Sequence, residues 1–153
     1  MQITTTRSSN PVSDERLAEI LANPGFGVHF TDHMFTVEWT PDAGWHDARI
    51  EPYGPLSLDP ATAVLHYAQE TFEGMKAYRH EDGSVWSFRP EENAARMERS
   101  SHRLALPVLP VEDFVQAVQA RVENDQRWVP EAAGATRLYL RAFTFASVAV
   151  RGV

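Results

Sequence analysis

The segment spanning residues 59–88 constrains the fold of this chain more than any other, because a helix signal is followed closely by a hairpin signal. Asp59 is a favourable N-cap and Pro60 stands at the first helical position, so a helix is predicted to begin there. Gly74 is predicted to end this helix as a C′ glycine in the left-handed conformation. Beyond it, alternating runs flank Asp82 and Gly83, a pattern typical of a β-hairpin.

The remaining patterns predict an α+β fold. Ser13 is a favourable N-cap for a short helix that ends near Asn23. Apolar residues at helical spacing predict two further helices, and alternating residues predict four strands. The predicted helices span 91–104 and 111–128, the second with Trp128 closing its apolar face, and the predicted strands span 26–30, 34–39, 45–50 and 136–145. Together with the hairpin they indicate a mainly antiparallel sheet with helices packed on one side.

The length of 153 residues suits one domain with a sizeable core. We expect residues 1–12 to form an N-terminal arm and residues 13–145 to form a small α+β domain. Domains usually end in a feature that satisfies their last strand. The last segment, 146–153, carries neither a capping element nor a polar tail. We therefore expect a chain that is cut off within this segment.

Composition excludes several classes of function. The net charge of −7 argues against a nucleic acid or an anionic membrane as partner, because both require a basic face. No apolar run is long enough to cross a bilayer and the N-terminus lacks a signal-peptide core, so a cytoplasmic protein is predicted. The absence of cysteine excludes thiolate chemistry. Lys76 is the only lysine among 14 basic residues, so lysine chemistry requires Lys76 or a residue outside the chain.

Two sets of residues could bind an anion. Arg96, Arg99 and Arg103 share one stripe of a predicted helix, and a guanidinium matches the oxygens of a phosphate. Spacing alone, however, favours a solvated helix face. Tyr139 and Arg141 lie on one face of the last predicted strand, where they either grip a carboxylate or are cross-strand partners.

His29, Asp32 and His33 raise the question of a metal site. No nearby cysteine or third histidine completes a ligand set, so surface histidines are the favoured interpretation and no metal is predicted. Tyr67 and Phe72 either line a pocket or belong to the core. The chain contains no serine nucleophile elbow, P-loop or dinucleotide fingerprint. The residues by themselves therefore indicate an acidic α+β domain whose arginines suit an oxyanion.

Four stretches of the chain form one ordered set of motifs. They are Phe26-Gly27 with Phe30-Thr31-Asp32-His33-Met34, Leu65-His66-Tyr67 with Phe72-Glu73-Gly74-Met75-Lys76-Ala77-Tyr78, Phe88-Arg89-Pro90 through Asn93, Arg96 and Arg103, and Leu138-Tyr139-Leu140-Arg141. In this order and spacing, over residues 24–145, they resemble the branched-chain amino-acid aminotransferases. These are pyridoxal-phosphate enzymes of fold type IV, and the resemblance implies the small N-terminal domain of such an enzyme.

The resemblance implies a role for five residues. Arg96 would bind the phosphate of the cofactor, pyridoxal 5'-phosphate. Phe26, Tyr67 and Tyr139 would help to wall the pocket for a branched aliphatic side chain. Arg141 would lie near the substrate carboxylate or order the residues around it. In the family this pocket is completed across a homodimer interface, so some of these residues would serve the neighbouring subunit.

The resemblance also implies that no catalytic residue lies in this chain. The lysine that forms a Schiff base with the cofactor belongs to a large C-terminal domain in the family, and Lys76 matches a different lysine. The intact enzyme would exchange an amino group between leucine, isoleucine or valine and 2-oxoglutarate, whereas the chain alone is expected to be inactive. Two alternatives stay open. One is another fold type IV enzyme, a D-amino-acid aminotransferase or aminodeoxychorismate lyase; the other is a non-catalytic partner of a separately encoded large domain.

Overall fold

A computed structural model describes residues 1–132 and 136–149. The strands are β1 (Thr4–Thr5), β2 (His33–Thr40), β3 (Gly44–Pro52), β4 (Glu70–Arg79), β5 (Val85–Ser87) and β6 (Leu138–Phe145). The helices are α1 (Asp14–Ala22), α2 (Ala63–Tyr67), α3 (Pro90–Arg103) and α4 (Val111–Asn124). The strands form two sheets, ordered β1-β3-β2 and β5-β4-β6, in which only the β1–β3 pair is parallel. The predicted α+β class is confirmed, with the strands divided between two sheets.

Helices α1, α3 and α4 form where the periodicity predicts them. The Ser13 hydroxyl caps α1 by accepting a hydrogen bond from the Arg16 amide at 3.2 Å. Helices α3 and α4 bury apolar stripes against one face of the second sheet. The resulting core is formed by Met75, Ala94, Met97 and Phe114, with Leu140 and Ala142 packed against it. These local predictions hold because each apolar stripe has a surface to pack against, the second sheet for α3 and α4 and Trp128 for α1.

The helix predicted between Asp59 and Gly74 is wrong over most of its length. Helix α2 has only five residues, its N-cap is Thr62 rather than Asp59, and it ends at Ala68, which takes the left-handed conformation (φ 50°). The chain is then a strand through Gly74, because Glu70 to Ala77 pair with β6 residue by residue. Tertiary pairing with a distant strand therefore outweighs the local helix signal.

The strand predicted for residues 26–30 is also wrong. Gly25 and Gly27 have φ angles of +62° and +70°, which turn the backbone away from an extended path. Strand β2 begins only at His33, and Phe26 is 80% exposed. Within residues 1–132 and 136–149, the segment 26–30 has no strand to pair with, so alternation alone does not make it a strand.

The residues that follow this loop are anchored to the end of α4. Asp32 accepts hydrogen bonds from Trp128 Nε1 at 2.7 Å, from Arg127 Nη2 at 2.9 Å and from the Val12 amide at 2.8 Å. Burial acts to raise the pKa of Asp32, but these hydrogen bonds outweigh it and the pKa is lowered. The prediction of a surface histidine is wrong for His33, which is 6% exposed because its ring and its amide both bond to the buried Asp125. These side chains are engaged in packing, and the described residues contain no group of three or more His, Cys, Asp or Glu that could hold a metal ion.

Both ends of the chain contact the body of the fold where they are described. The N-terminal segment adds β1 to the first sheet, and the Thr6 amide donates to Ile50 O at 2.8 Å. At the other end, Ala149 forms an isolated bridge with Thr62. The predicted cut-off segment 146–153 lies partly outside the described residues, as does part of the loop before β6. No described helix has the length and apolar character needed to span a membrane.

Candidate active site

Strand β4 presents two different faces to the candidate site residues. Thr71, Glu73, Met75 and Ala77 are buried on the face that packs against α3. Phe72 and Lys76 are exposed, and they share the opposite face with Gly74 because side chains alternate along a strand. Strand β6 lies beside β4 with Gly74 opposite Arg141 and Lys76 opposite Tyr139. The two candidate sets, Arg96 on one face and Tyr139 with Arg141 on the other, thus lie next to the adjacent residues Glu73 and Gly74.

Arg96 is held by a buried carboxylate. Its Nε and Nη2 atoms donate to the two oxygens of Glu73 at 2.6 and 2.8 Å, and Asn93 Nδ2 donates to the same carboxylate at 2.9 Å. Glu73 is only 3% exposed, whereas the Arg96 side chain is 61% exposed. This bidentate pair fixes the plane of the guanidinium, because a carboxylate and a guanidinium edge match in geometry. Among the residues that the structure describes, Arg96 Nη1 has no partner and can still bind an anion.

The Arg96–Glu73 pair also sets the protonation of Glu73. Hydrogen bonds from Arg96 lower the pKa of Glu73 and outweigh burial, which acts to raise it; Asn93 contributes in the same direction as Arg96. A carboxyl group with a lowered pKa in the folded state stabilises the fold above its unfolded pKa, and this contribution is lost as pH falls through its folded pKa. The pair therefore stabilises the fold at neutral pH and does so progressively less in acid.

We expect the Arg96→Gln variant to be less stable than the wild type at pH 7, because the Glu73 carboxylate stays buried without its cation. The difference should close as pH falls below 4.5, the ordinary pKa of a glutamate, since Glu73 becomes protonated in both proteins. Urea unfolding at several pH values measures this difference. Arg99→Gln is the matched control, because Arg99 is exposed on the same helix. A difference that is the same at neutral and acidic pH would contradict the ion-pair account.

Tyr139 and Arg141 lie on the opposite face of the sheet, in contact with each other. Arg141 Nη2 donates to the Tyr139 hydroxyl at 3.1 Å, and the Arg141 guanidinium carbon lies 4.3 Å from the centre of the Phe72 ring. The Phe26 ring packs edge-on against Tyr139 with ring centres 5.6 Å apart. Three of the five predicted site residues, Phe26, Tyr139 and Arg141, are therefore brought together, with Phe72 as an additional member.

Tyr67 and Lys76 are placed differently. The Tyr67 ring is 65% exposed at the end of α2, and its ring contact is with His66. No ring contact joins it to Phe26 or Tyr139 in the part of the chain that the structure describes. Lys76 is exposed and lies opposite Tyr139 in the strand register.

The two groups lie on opposite faces of β4, at the adjacent residues Glu73 and Gly74. Strand β5 pairs only with Ala77 to Arg79, so the edge beside Glu73 and Gly74 has no neighbouring strand among the described residues. Asn93 Nδ2 approaches this edge and donates to the Gly74 carbonyl at 3.3 Å. Glu73 therefore connects to Arg96, and Gly74, the next residue, lies beneath Tyr139. The adjacent residues Glu73 and Gly74 therefore contact the two parts of the candidate site, Arg96 and Tyr139.

Sequence reasoning missed three of the residues that build this site. Glu73 and Gly74 were interpreted as part of a helix end, and Asn93 was noted only as part of a motif. A usable signal was present in the alternation of Thr71, Glu73, Met75 and Ala77, but it becomes convincing only once β6 supplies a partner.

Sequence comparison identifies clear relatives. The chain is 59% identical over 146 residues to a probable branched-chain-amino-acid aminotransferase of Streptomyces coelicolor, a match that covers 95% of the chain and 40% of the relative. It is 50% identical over 153 residues to a branched-chain-amino-acid aminotransferase of Mycolicibacterium smegmatis, covering the whole chain and 42% of that relative. The chain thus spans about two fifths of the length of these relatives. No protein-family model matches it.

Solved structures agree in fold. The branched-chain amino acid aminotransferase of Escherichia coli matches 63% of this chain and 30% of its own, with a TM-score of 0.52 and 19% identity. The branched-chain aminotransferase from the archaeon Thermoproteus uzoniensis, crystallised with norvaline, matches 69% of this chain over 33% of its own length, with a TM-score of 0.56 and 21% identity. At such identity these matches show a shared fold, and the sequence matches show descent. The chain is therefore homologous to the branched-chain-amino-acid aminotransferases over about two fifths of their length.

Proposed function

We propose that this chain is the small domain of a branched-chain-amino-acid aminotransferase that transfers an amino group between leucine, isoleucine or valine and 2-oxoglutarate. The observation that carries the proposal is the side-chain cluster on β4 and β6, where Arg141 lies between Phe72 and Tyr139 with Phe26 alongside. A cation set among aromatic rings suits a ligand with a carboxylate and an apolar side chain. The names of the relatives point to the same substrates.

The residues of the chain fit pyridoxal 5'-phosphate as the cofactor. Arg96 would hold its phosphate, because the guanidinium is exposed, fixed by Glu73 and left with Nη1 free of protein contacts among the described residues. One solved relative in fold is described as the pyridoxal-phosphate form of a branched-chain amino acid aminotransferase. The bound cofactor would supply the electron-accepting ring through which the amino group passes.

The remaining residues would bind the substrate and exclude water. Arg141 would donate to the substrate carboxylate, since the bond to Tyr139 uses only one of its five N–H groups. Phe26 and Tyr139 would contact the aliphatic side chain, and Tyr67, which has no ring contact with them among the described residues, would add to this wall from the end of α2. Their apolar surfaces would keep water from the reacting atoms. Lys76 would not carry the cofactor.

The proposal extends to the whole protein. The resemblance supports a homodimer in which both subunits contribute to each pocket, a cytoplasmic location, and a large domain that supplies the lysine for the cofactor. In the same scheme, residues 1–12 are an arm and residues 146–153 begin the connection to that domain. The share of about two fifths of the relatives' length is consistent with a small domain.

A chimera tests this function. The chain replaces the matching 42% of the Mycolicibacterium smegmatis relative, and transamination of leucine with 2-oxoglutarate is measured beside that of D-alanine. We expect leucine turnover that requires pyridoxal 5'-phosphate, no D-alanine turnover, and no turnover by the 153-residue chain alone. A folded chimera that turns over only D-alanine would instead support the alternative fold type IV enzyme. Turnover by the isolated chain that is lost in Arg96→Gln would show that Lys76 has been misassigned.

A further inference from the structure

Gly74 lies in the interior of strand β4, a position where glycine is usually unfavourable. A glycine there often marks the close approach of another group. We propose that Gly74 is a positioning residue: its missing side chain makes room for the Tyr139 phenol, which in turn holds the Arg141 guanidinium. The inference rests on the proposed function, because it treats Arg141 as the group that binds the substrate carboxylate.

The space beside Gly74 is filled by Tyr139. A Cβ atom at Gly74 would lie 2.2 Å from the Tyr139 hydroxyl oxygen, 2.9 Å from Cζ and 3.3 Å from Cε2. The first two distances are shorter than any real contact of a Cβ atom. Any other residue at this position would therefore displace the phenol, which can move because it is the end of a side chain.

The phenol in this position orients Arg141. Its oxygen accepts a hydrogen bond from Arg141 Nη2 at 3.1 Å, and its ring lies 5.4 Å from the guanidinium carbon. The centre of the Phe72 ring lies 4.3 Å from the same carbon, and the Phe26 ring packs edge-on against the phenol ring. Displacing the phenol removes the hydrogen bond and one of the two rings that contact the guanidinium. Arg141 would keep its charge and lose its fixed orientation.

The stability of a Gly74→Ala variant distinguishes this role from simple strand propensity. Alanine normally stabilises a strand interior relative to glycine, because it loses less backbone entropy on folding. At Gly74, contact with the phenol should make alanine destabilising instead, so we expect the Tm of Gly74→Ala to be lower than that of the wild type. In a Tyr139→Ala background the phenol is absent, and the same substitution should raise the Tm. Gly54→Ala is the matched control, since a Cβ at Gly54 meets nothing within 4 Å.

The functional readout is an NMR titration of the full 153-residue chain with the 2-oxo acid of leucine. The probe should shift the Arg141 Nε–H signal in the wild type and in Gly54→Ala. In Gly74→Ala that signal should already be displaced without ligand, and affinity should fall about tenfold, the effect of losing one charge-assisted hydrogen bond. Tyr139→Ala should weaken binding to a similar extent, and adding Gly74→Ala to it should cause no further loss.

The outcomes separate this inference from the proposed function. Wild-type affinity and an unchanged Arg141 signal in Gly74→Ala would overturn the positioning role and leave the proposed function standing. An Arg141 signal that does not respond to the 2-oxo acid in the wild type would overturn the inference, because Arg141 would then not bind the carboxylate, whereas turnover by the chimera decides the proposed function separately. Equal effects of Gly74→Ala with and without the phenol would also overturn the inference, because the effect would then not pass through Tyr139.

Discussion

Replacing Asp125 with alanine is expected to lower the free energy of unfolding by about 3–5 kcal/mol, the effect of removing one partner from a buried ion pair. Asp125 is 3% exposed and accepts from the ring Nδ1 of His33 at 2.7 Å and from its backbone amide at 3.0 Å. Arg121 Nη1 lies 2.9 Å from the second carboxylate oxygen, as an ion pair that is not aligned as a hydrogen bond. The substitution leaves the two buried donors of His33 without an acceptor and removes the carboxylate beside Arg121.

The charges around Asp125 account for the size of this effect. Burial lowers the pKa of Arg121, and the charge of Asp125 opposes that change. The His33 Nε2 atom accepts from the Ser8 amide at 2.8 Å, so the ring proton lies on Nδ1 and is donated to Asp125. Without Asp125 the buried guanidinium loses its ion-pair partner and keeps only the weaker influence of the Asp32 charge. This penalty is a large part of the total stability of a domain of this size.

Urea unfolding of Asp125→Ala, Asp125→Asn and Glu112→Ala measures the effect. The asparagine keeps one acceptor for His33, so its loss should be smaller than that of alanine. Glu112 is exposed in the first turn of α4, the helix that Asp125 follows, and its removal should change the free energy of unfolding by no more than about 0.5 kcal/mol. Asp125→Ala with the stability of Glu112→Ala would contradict the account. Because His33 follows the loop that carries Phe26, loss of Asp125 should also loosen the Phe26–Tyr139 contact.

Replacing Arg141 with glutamine in the aminotransferase chimera is expected to reduce kcat/KM for leucine by about a hundredfold, since charge-assisted hydrogen bonds to a carboxylate are strong. Glutamine keeps polarity but lacks the charge and the planar fork of donors. Arg141→Lys keeps the charge alone, so we expect it to recover only part of the activity. Either substitution also removes the contact between the guanidinium and the Phe72 ring.

Steady-state kinetics with leucine over a range of concentrations measure this loss. Arg103→Gln is the control, because Arg103 is exposed in the last turn of α3 and belongs to the same motif set without touching the cluster. The binding of pyridoxal 5'-phosphate should be unchanged in Arg141→Gln, because Arg96 lies on the other side of the strand pair. Equal losses in Arg103→Gln and Arg141→Gln would contradict a specific role for Arg141.

Much of the fold follows from local patterns. Ser13 caps α1 as predicted, the apolar stripe with Phe114 forms α4, and Asp82 and Gly83 lie in the turn between β4 and β5. These features depend on residues close together in the chain, whose spacing the sequence shows directly. The segment after Ala68 could not be predicted in this way, because its conformation is set by pairing with β6.

The candidate site also combines residues that the motifs identify with contacts that only the tertiary structure shows. Arg96, Tyr139 and Arg141 were identified by motif resemblance, and the structure places Tyr139 and Arg141 in contact with each other and with Phe26 or Phe72. The partner of Arg96 was not predicted, because Glu73 lies on a strand that local signals indicated as a helix. Tyr67 lies apart from the cluster among the described residues, and the functional roles of all five site residues stay predictions.

The sequence by itself determined the α+β class, three of the four helices, the hairpin and the family that the motifs resemble. Each of these depends on local spacing or on ordered motifs. Only the tertiary structure decided that Glu73 and Gly74 belong to a strand and that residues 26–30 form a loop. It also decided that His33, at the start of β2, pairs with Asp125, which follows α4. The physical reason is that strand pairing and buried ion pairs join residues far apart in the chain, and their free energy exceeds the local preferences of each segment.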